Sequence, residues 1–227
     1  PVHGKYAGRG KVMGQSLDEA VWAIALIEAL CLCGDLIPEE KKLLWHEKMF
    51  RPMAELLIPQ SMHIHNIPTW QQCCIGMIGL YFEDEELLTH ALDSEFGIRA
   101  QVRTGFTADG IWHEGSLLYH YYTVQALTDF LALYALRAPD DPLFSTLEKM
   151  YAAPYALSYN GRLPALNDGW YPLEVTGIAA RLLRAARISA DPILTEQLDL
   201  IRKTEPNRLL TLEALLYGLA DDGSVLL

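Results

Sequence analysis

Segment after segment of this chain repeats apolar residues at the helical period and is closed by Gly or Pro, while runs that alternate as a strand does are nearly absent. That pattern predicts an all-α fold. Ser16-Leu17-Asp18-Glu19 reads as a capping box, in which the serine satisfies a free amide of the first turn and Glu19 reaches back to the cap. The helix it opens is expected to run to Gly34. Val21, Trp22, Ile24, Leu26, Ile27, Leu30 and Leu32 make it apolar almost all round, with Glu28 the main polar interruption after the first turn. Such a helix belongs to the inner of two layers, covered on more than one side. Pro38, at a favoured first-turn position, opens a more amphipathic second helix through Trp45, Phe50 and Leu56, read as an outer return.

A third helix is expected from Asn66 or Pro68 to about Phe82, a fourth from Glu85 to Arg103, a fifth from Glu114 to Arg137, and a sixth that follows Pro139 and Pro142 and ends near Leu157. A loop from Ser158 to Pro172 precedes helices over Leu173–Ile188, Pro192–Lys203 and Pro206–Tyr217. Gln15, Asn66, Tyr119 and Asp168 then fall at or near the starts of the first, third, fifth and seventh helices, at intervals of 51, 53 and 49 residues. If consecutive helices run antiparallel through short turns, every odd helix begins at the same end, and the four residues share one rim. A helical-hairpin period near fifty fits a closed toroid or an open solenoid, and the lack of any sequence-level repeat favours the toroid. The expected architecture is therefore a single domain over 1–227, an incomplete (α/α) toroid of antiparallel helical hairpins. Its rim gathers helix N-termini, whose free amides and dipoles suit an anionic group.

The 227 residues carry 18 Lys and Arg against 29 Asp and Glu, a formal net charge of −11, which opposes tracking along nucleic acid or binding to an anionic membrane. A polyanionic substrate needs a locally basic mouth, and Lys5, Arg9 and Lys11 precede any acidic residue. The apolar stretch from Ala20 follows Asp18 and Glu19 and is interrupted by Glu28, which is not the order of a secretory signal, and no segment has the length and apolarity of a membrane span. Cys31, Cys33, Cys73 and Cys74 lie in Leu-, Ile- and Met-rich helical patterns and read as free core thiols. Unpaired thiols lean towards the cytoplasm and leave the periplasm or secretion open. C-x-C and C-C on separate helices make a poor zinc site, and His63 and His65, at i and i+2 with no evident third ligand, make a poor metal pair; neither metal nor cofactor is expected.

Two strings carry the polar residues of interest. In D-G-I-W-H-E-G-S-L-L-Y-H-Y-Y, residues 109–122, Tyr119 and Tyr122 are three apart on one helical face, while His120 and Tyr121 point elsewhere. Packing outweighs catalysis for such a tyrosine cluster taken alone. In H-I-H-N-I-P-T-W-Q-Q, residues 63–72, Asn66 taken alone is best read as a helix cap.

These two strings, with G-R-G-K-V-M-G-Q-S-L-D-E-A-V-W near the start and R-L-P-A-L-N-D-G at residues 162–169, together resemble the helical domain of heparinase II/III-like and alginate or oligo-alginate lyases, over roughly residues 5 to 175. The resemblance implies β-elimination at a uronic acid, with no hydrolytic water. It implies that an asparagine, helped by a glutamine or basic residues, neutralises the carboxylate and makes the C5 proton acidic; Asn66 and Gln15 match those positions. A tyrosine protonates the leaving glycosidic oxygen, for which Tyr119 is the choice and Tyr122 the reserve. Tyrosine titrates near ~10, so the acid role is easy at neutral pH, whereas a base role needs positive groups nearby, for which Arg9, Lys5 and His120 are candidates. Trp70 and Trp112 are candidates to stack on sugar faces, with buried packing at least as good an account, and His65 joins the substrate-binding set.

The resemblance also implies partners. The family follows its helical domain with large antiparallel β domains that complete the site, and no run of alternating strands precedes Leu227, so the expectation is a fragment or truncated relative that binds an acidic poly- or oligosaccharide weakly and turns over little alone. Several members carry a histidine directly after the asparagine, where this chain has Ile67. Heparan-type glycosaminoglycan, hyaluronan and alginate are not told apart by these residues, although the acidic balance disfavours a heavily sulfated chain. Two other functions remain open. A toroid glycoside hydrolase would use carboxylates from among Asp109, Glu114 and Asp168, although Asp109-Gly110 and Asp168-Gly169 are also ordinary turn sequences. A non-catalytic glycan-binding module would use Trp70, Trp112 and the tyrosines.

Overall fold

The structure, a computed structural model, describes residues 8–169, 173–211 and 214. The described residues are all-α, with ten α-helices and isolated β-bridges as the only extended pairing, in agreement with the expected class. None of these helices is long and apolar enough to cross a membrane. The chain divides into two compact units, Pro1–Gly105 and Phe106–Leu227.

The first unit holds α1 (Ser16–Cys33), α2 (Glu39–Trp45), α3 (Arg51–Leu57), α4 (Asn66–Tyr81), α5 (Glu85–Asp93) and α6 (Ile98–Gly105). The single second helix expected from Pro38 is instead α2 and α3 joined by a π-helical turn, His46–Phe50. Pro52 supplies the reason: it has no amide to continue an α-helical ladder, and the turn before it widens so that the Arg51 amide reaches back to the His46 carbonyl. The expected fourth helix is also two. Ser94 turns extended, and Gly97 lies so close to α5 that a Cβ there would sit 2.7 Å from the Leu92 carbonyl oxygen.

The inner helix of this unit is α4, buried continuously from Pro68 to Gly79 and packed on α1, α3 and α5. The expectation that α1 is covered on more than one side is corrected, because Ala25, Ala29, Leu32 and Cys33 are exposed. Of the four cysteines, Cys73 and Cys74 are core thiols, whereas Cys31 and Cys33 are exposed. Ser16 near the start of α1 bonds Gln71 in the second turn of α4, and the Tyr81 hydroxyl at the far end of α4 donates to the Leu30 carbonyl near the end of α1. These two contacts make α1 and α4 run in the same direction, so both begin at one end of the unit.

The second unit is built on α7 (Leu117–Tyr134), α8 (Leu143–Ala156), α9 (Ala179–Ile188) and α10 (Pro192–Thr204). Here α9 starts later than the expected Leu173, after a 3-10 turn at Val175–Ile178. A second 3-10 turn, Pro206–Leu209, opens the last expected segment, whose continuation past Thr211 lies, apart from Ala214, outside the described residues. Trp112, Tyr121, Phe130, Leu147, Tyr151, Leu182 and Leu198 fill the core. Arg181 Nε donates to Gln125 Oε1 at 3.0 Å, and Arg184 pairs with Asp129 one turn further along both helices, so α7 and α9 also run in the same direction.

Candidate active site

In the first unit the candidate residues gather at the starts of α1 and α4. Gln15 is the N-cap residue of α1 in an extended conformation, with its carbonyl accepting from the Glu19 amide. The capping box is corrected. Ser16 lies inside the helix and its hydroxyl accepts from Gln71 Nε2 at 2.9 Å, while the fully buried Glu19 carboxylate accepts from the amides of Val12, at 2.9 Å, and Met13, at 2.6 Å. Glu19 thus holds the preceding loop, not its own helix end.

That loop is close-packed. The Ser16 amide donates to the Gly8 carbonyl at 2.8 Å, and Gln60 Nε2 donates to the carbonyls of Leu56 and Arg9. A Cβ at Gly10 would sit 2.7 Å from Glu19 Oε2. The outcome is a basic loop whose Arg9 and Lys11 are exposed, leading to a Gln15 whose buried Oε1 has no hydrogen-bond partner. Lys5 lies outside the described residues.

At α4 the cap is His65, whose Nδ1 accepts from the Ile67 amide at 3.3 Å. Asn66 is therefore the first helical residue, and the capping role that alone would have explained it belongs to its neighbour; it is 3% exposed. Gln101, which sequence reasoning missed, fixes this corner. Wholly buried, it donates to the carbonyls of His63 and Phe96 at 2.6 and 3.0 Å and accepts from the His65 amide and the Thr69 hydroxyl at 3.2 and 3.1 Å. The signal was faint: a glutamine on the apolar face of α6, beside Ile98 and Gly105. Trp70 is buried in the core, which supports packing over stacking on a sugar.

In the second unit the residues gather at the start of α7. Ser116 is the N-cap, its hydroxyl accepting from the Tyr119 amide, so Tyr119 occupies the first turn and Tyr122 the next; both are half-buried. Tyr121 is buried, and burial pushes its phenol far up. His120 is corrected as a source of positive field. Fully buried, its Nδ1 accepts from the Trp112 amide at 3.1 Å, which leaves Nε2 to carry the proton and donate to the Met150 carbonyl at 2.7 Å. Burial lowers its pKa to about 4, so it is neutral at neutral pH. Trp112 has no exposed surface, and its indole donates to Glu114 Oε1 at 2.7 Å, so it too packs.

Asp168 does not stand at a helix start, since α9 begins eleven residues later. Its loop nevertheless lies against the start of α7: Asn167 Nδ2 donates to the Glu114 carbonyl at 2.9 Å, and a Cβ on Gly169 would stand 3.6 Å from the Ser116 hydroxyl. Asp109 is exposed in a turn, where the Thr107 hydroxyl donates to it at 2.6 Å and lowers its pKa, the wrong direction for a glycosidase acid. The structure thus groups Gln15, Asn66 and His65 with the Arg9–Lys11 loop in one unit, and Tyr119, Tyr122 and the Asn167–Asp168 loop in the other.

No family model matches the chain. It is similar to an alginate lyase of Stenotrophomonas maltophilia (strain K279a), 34% identical over 136 residues that make up 55% of this chain and 18% of that protein. It is also similar to an exo-oligoalginate lyase of Saccharophagus degradans (strain 2-40 / ATCC 43961 / DSM 17024), 28% identical over 172 residues, 70% of this chain and 23% of that protein. The chain spans about a fifth of the length of these curated relatives. The similarity supports a polysaccharide lyase family for this chain.

Proposed function

We propose that these residues are part of a lyase that cleaves an alginate-type uronate oligo- or polysaccharide by β-elimination. The observation that carries the proposal is the likeness to two curated lyases whose names specify alginate and oligoalginate. Local geometry supports it. Gln15 keeps an amide oxygen without a partner, and Gln15 and Asn66 both stand at helix starts, where free amides and the dipole favour a carboxylate.

Asn66, with Gln15 and the exposed Arg9, is assigned the uronate carboxylate. Neutralising that charge stabilises the carbanion-like species formed as a base removes the C5 proton. The C5 electron pair closes the C4–C5 double bond, the C4–O bond breaks, and the Tyr119 hydroxyl gives its proton to the departing oxygen. Tyr122, one turn away, is the alternative acid. Proton donation by a phenol at neutral pH needs no positive field, so this step does not require His120. Only part of the catalytic set is assigned here, and these 227 residues alone are expected to turn over little.

The test is elimination by the full-length protein on oligoalginate, followed through the absorbance of the unsaturated uronate. Asn66→Ala and Tyr119→Phe should each lower turnover by ~10² or more with unchanged circular dichroism, on the scale of a lost general acid or charge-stabilising group. Saturated product ends would mean hydrolysis and refute elimination. Full turnover in both variants would remove these residues from the site.

A further inference from the structure

The R-L-P-A-L-N-D-G segment resembles the lyases but has no role in the chemistry assigned above, and its Asn167 has an unusual backbone. Asn167 is one of three non-glycine residues with positive φ among the described residues, at +50°, a left-handed conformation that asparagine tolerates better than most residues. From there its Nδ2 reaches 53 residues back to the Glu114 carbonyl at 2.9 Å. The next residue, Gly115, has φ +73°, and a Cβ on it would lie 2.3 Å from that same Nδ2. A side chain at 115 and the Asn167 amide cannot occupy this place together.

After Gly115 comes Ser116, the cap whose hydroxyl receives the Tyr119 amide, with Gly169 packed beside it. The contacts form one chain: Asn167 to Glu114, through the left-handed Gly115 to Ser116, and from Ser116 to the backbone of Tyr119. From the other side, the Trp112 amide is held by His120 and its indole by Glu114. The peptide from Trp112 to Ser116 is therefore fixed at both ends.

We infer that Asn167 is a positioning residue that latches the loop leading into α7 and so sets where the Tyr119 hydroxyl stands. This inference rests on Tyr119 as the acid of the proposed elimination. A latch of this kind acts on the bond-breaking step and leaves carboxylate binding alone, because a phenol displaced by a fraction of an ångström binds no worse but protonates less well.

The experiment compares Asn167→Gly and Asn167→Asp with the wild type in the full-length protein. Both accept positive φ and both lose the donor, so backbone strain is held aside. The expected result is kcat lower by about tenfold with KM within about twofold, below the ~100-fold that a 1 Å misplacement costs. Amide exchange at residues 115–119 should quicken in both variants while the melting temperature moves little, a pattern that a purely structural role would not give. Wild-type kcat in either variant, or unchanged exchange at 115–119, overturns the latch. If the wild type forms no unsaturated ends, the proposed function fails and the latch falls with it; if Tyr119→Phe is fully active while elimination persists, the acid is not Tyr119 and the latch alone falls. Normal loss in Tyr119→Phe beside an active Asn167→Asp refutes the latch alone.

Discussion

The buried Glu19 gives the sharpest test of how the first unit is put together. Its carboxylate has no exposed surface and accepts two backbone amides, Val12 through both oxygens at 3.2 and 2.9 Å and Met13 at 2.6 Å. A hydrogen bond to a charged group contributes about 1.5–3 kcal/mol, so two would give about 3–6 kcal/mol if both amides stayed dry after the carboxylate was removed. They do not, since Val12 is exposed and Met13 half-exposed, and water replaces part of what is lost. Glu19→Ala should therefore destabilise the first unit by about 2–4 kcal/mol. Glu19→Gln, which keeps the shape but turns one acceptor into a donor facing an amide, should cost about 1–2 kcal/mol. Urea unfolding followed by circular dichroism measures both. Trypsin adds a local readout, because release of the loop exposes the Arg9 and Lys11 peptide bonds and should speed cleavage there before global unfolding. If Glu19→Ala unfolds within about 0.5 kcal/mol of wild type and trypsin cuts at the wild-type rate, the carboxylate does not hold this loop.

His120 is held in its neutral form, with a folded pKa of about 4 against 6.5 for the free side chain, so the unfolded chain binds more protons between those values. Its stabilisation is complete above pH 6.5 and is lost as pH falls towards 4, on the order of 3 kcal/mol in all; His120→Gln should be less stable at pH 7 and show a shallower loss across that window in chemical denaturation. Gln101→Leu leaves the part-buried His63 and Phe96 carbonyls and the His65 amide without this partner and should cost about 1–3 kcal/mol by thermal melting, a value below about 0.5 kcal/mol refuting its role at the α4 corner. Gly97→Ala places a methyl against the backbone of α5 and should cost about 1–3 kcal/mol, and a neutral result would mean the α5–α6 corner relaxes freely.

The starts of α4, α8 and α10 were legible in the sequence because they follow local punctuation: Asn66-Ile67-Pro68, Asp140-Asp141-Pro142 and Asp191-Pro192 restrict the chain whatever it packs against. The break at Ser94–Gly97 was not, because the periodicity either side is helical and only the close approach of Gly97 to α5 shows why the chain turns there. Caps failed for a related reason. Ser16 and Asn66 are the residue types that cap in isolation, yet each is taken into the helix, Ser16 by a bond to Gln71 55 residues away and Asn66 because His65 caps first. The polar residues that build the site corners, Gln101, Gln71 and Asn167, all act across 30 or more residues and leave no mark on local periodicity. Tyr119 and Tyr122 are both half-buried on α7, and the neutrality of His120 comes from its burial in the core, which no pattern around residue 120 reveals.

Both units place their candidate groups at helix starts by one device. In each, a candidate group sits in the first turn of a helix or directly before it, where the free amides point outward, and the loop leading there is tied by a polar side chain from outside that loop. In the first unit that side chain is itself a carboxylate, and its burial under the Val12 and Met13 amides turns the negative charge of Glu19 inward while Arg9 and Lys11 remain outside. The parallel course of α1 and α4 brings two such helix starts to the same end of the unit, where their dipoles act in the same sense. In the second unit the tie is the neutral amide of Asn167, whose Nδ2 donates to the Glu114 carbonyl and so holds the loop before Ser116 without bringing a charge to the helix start.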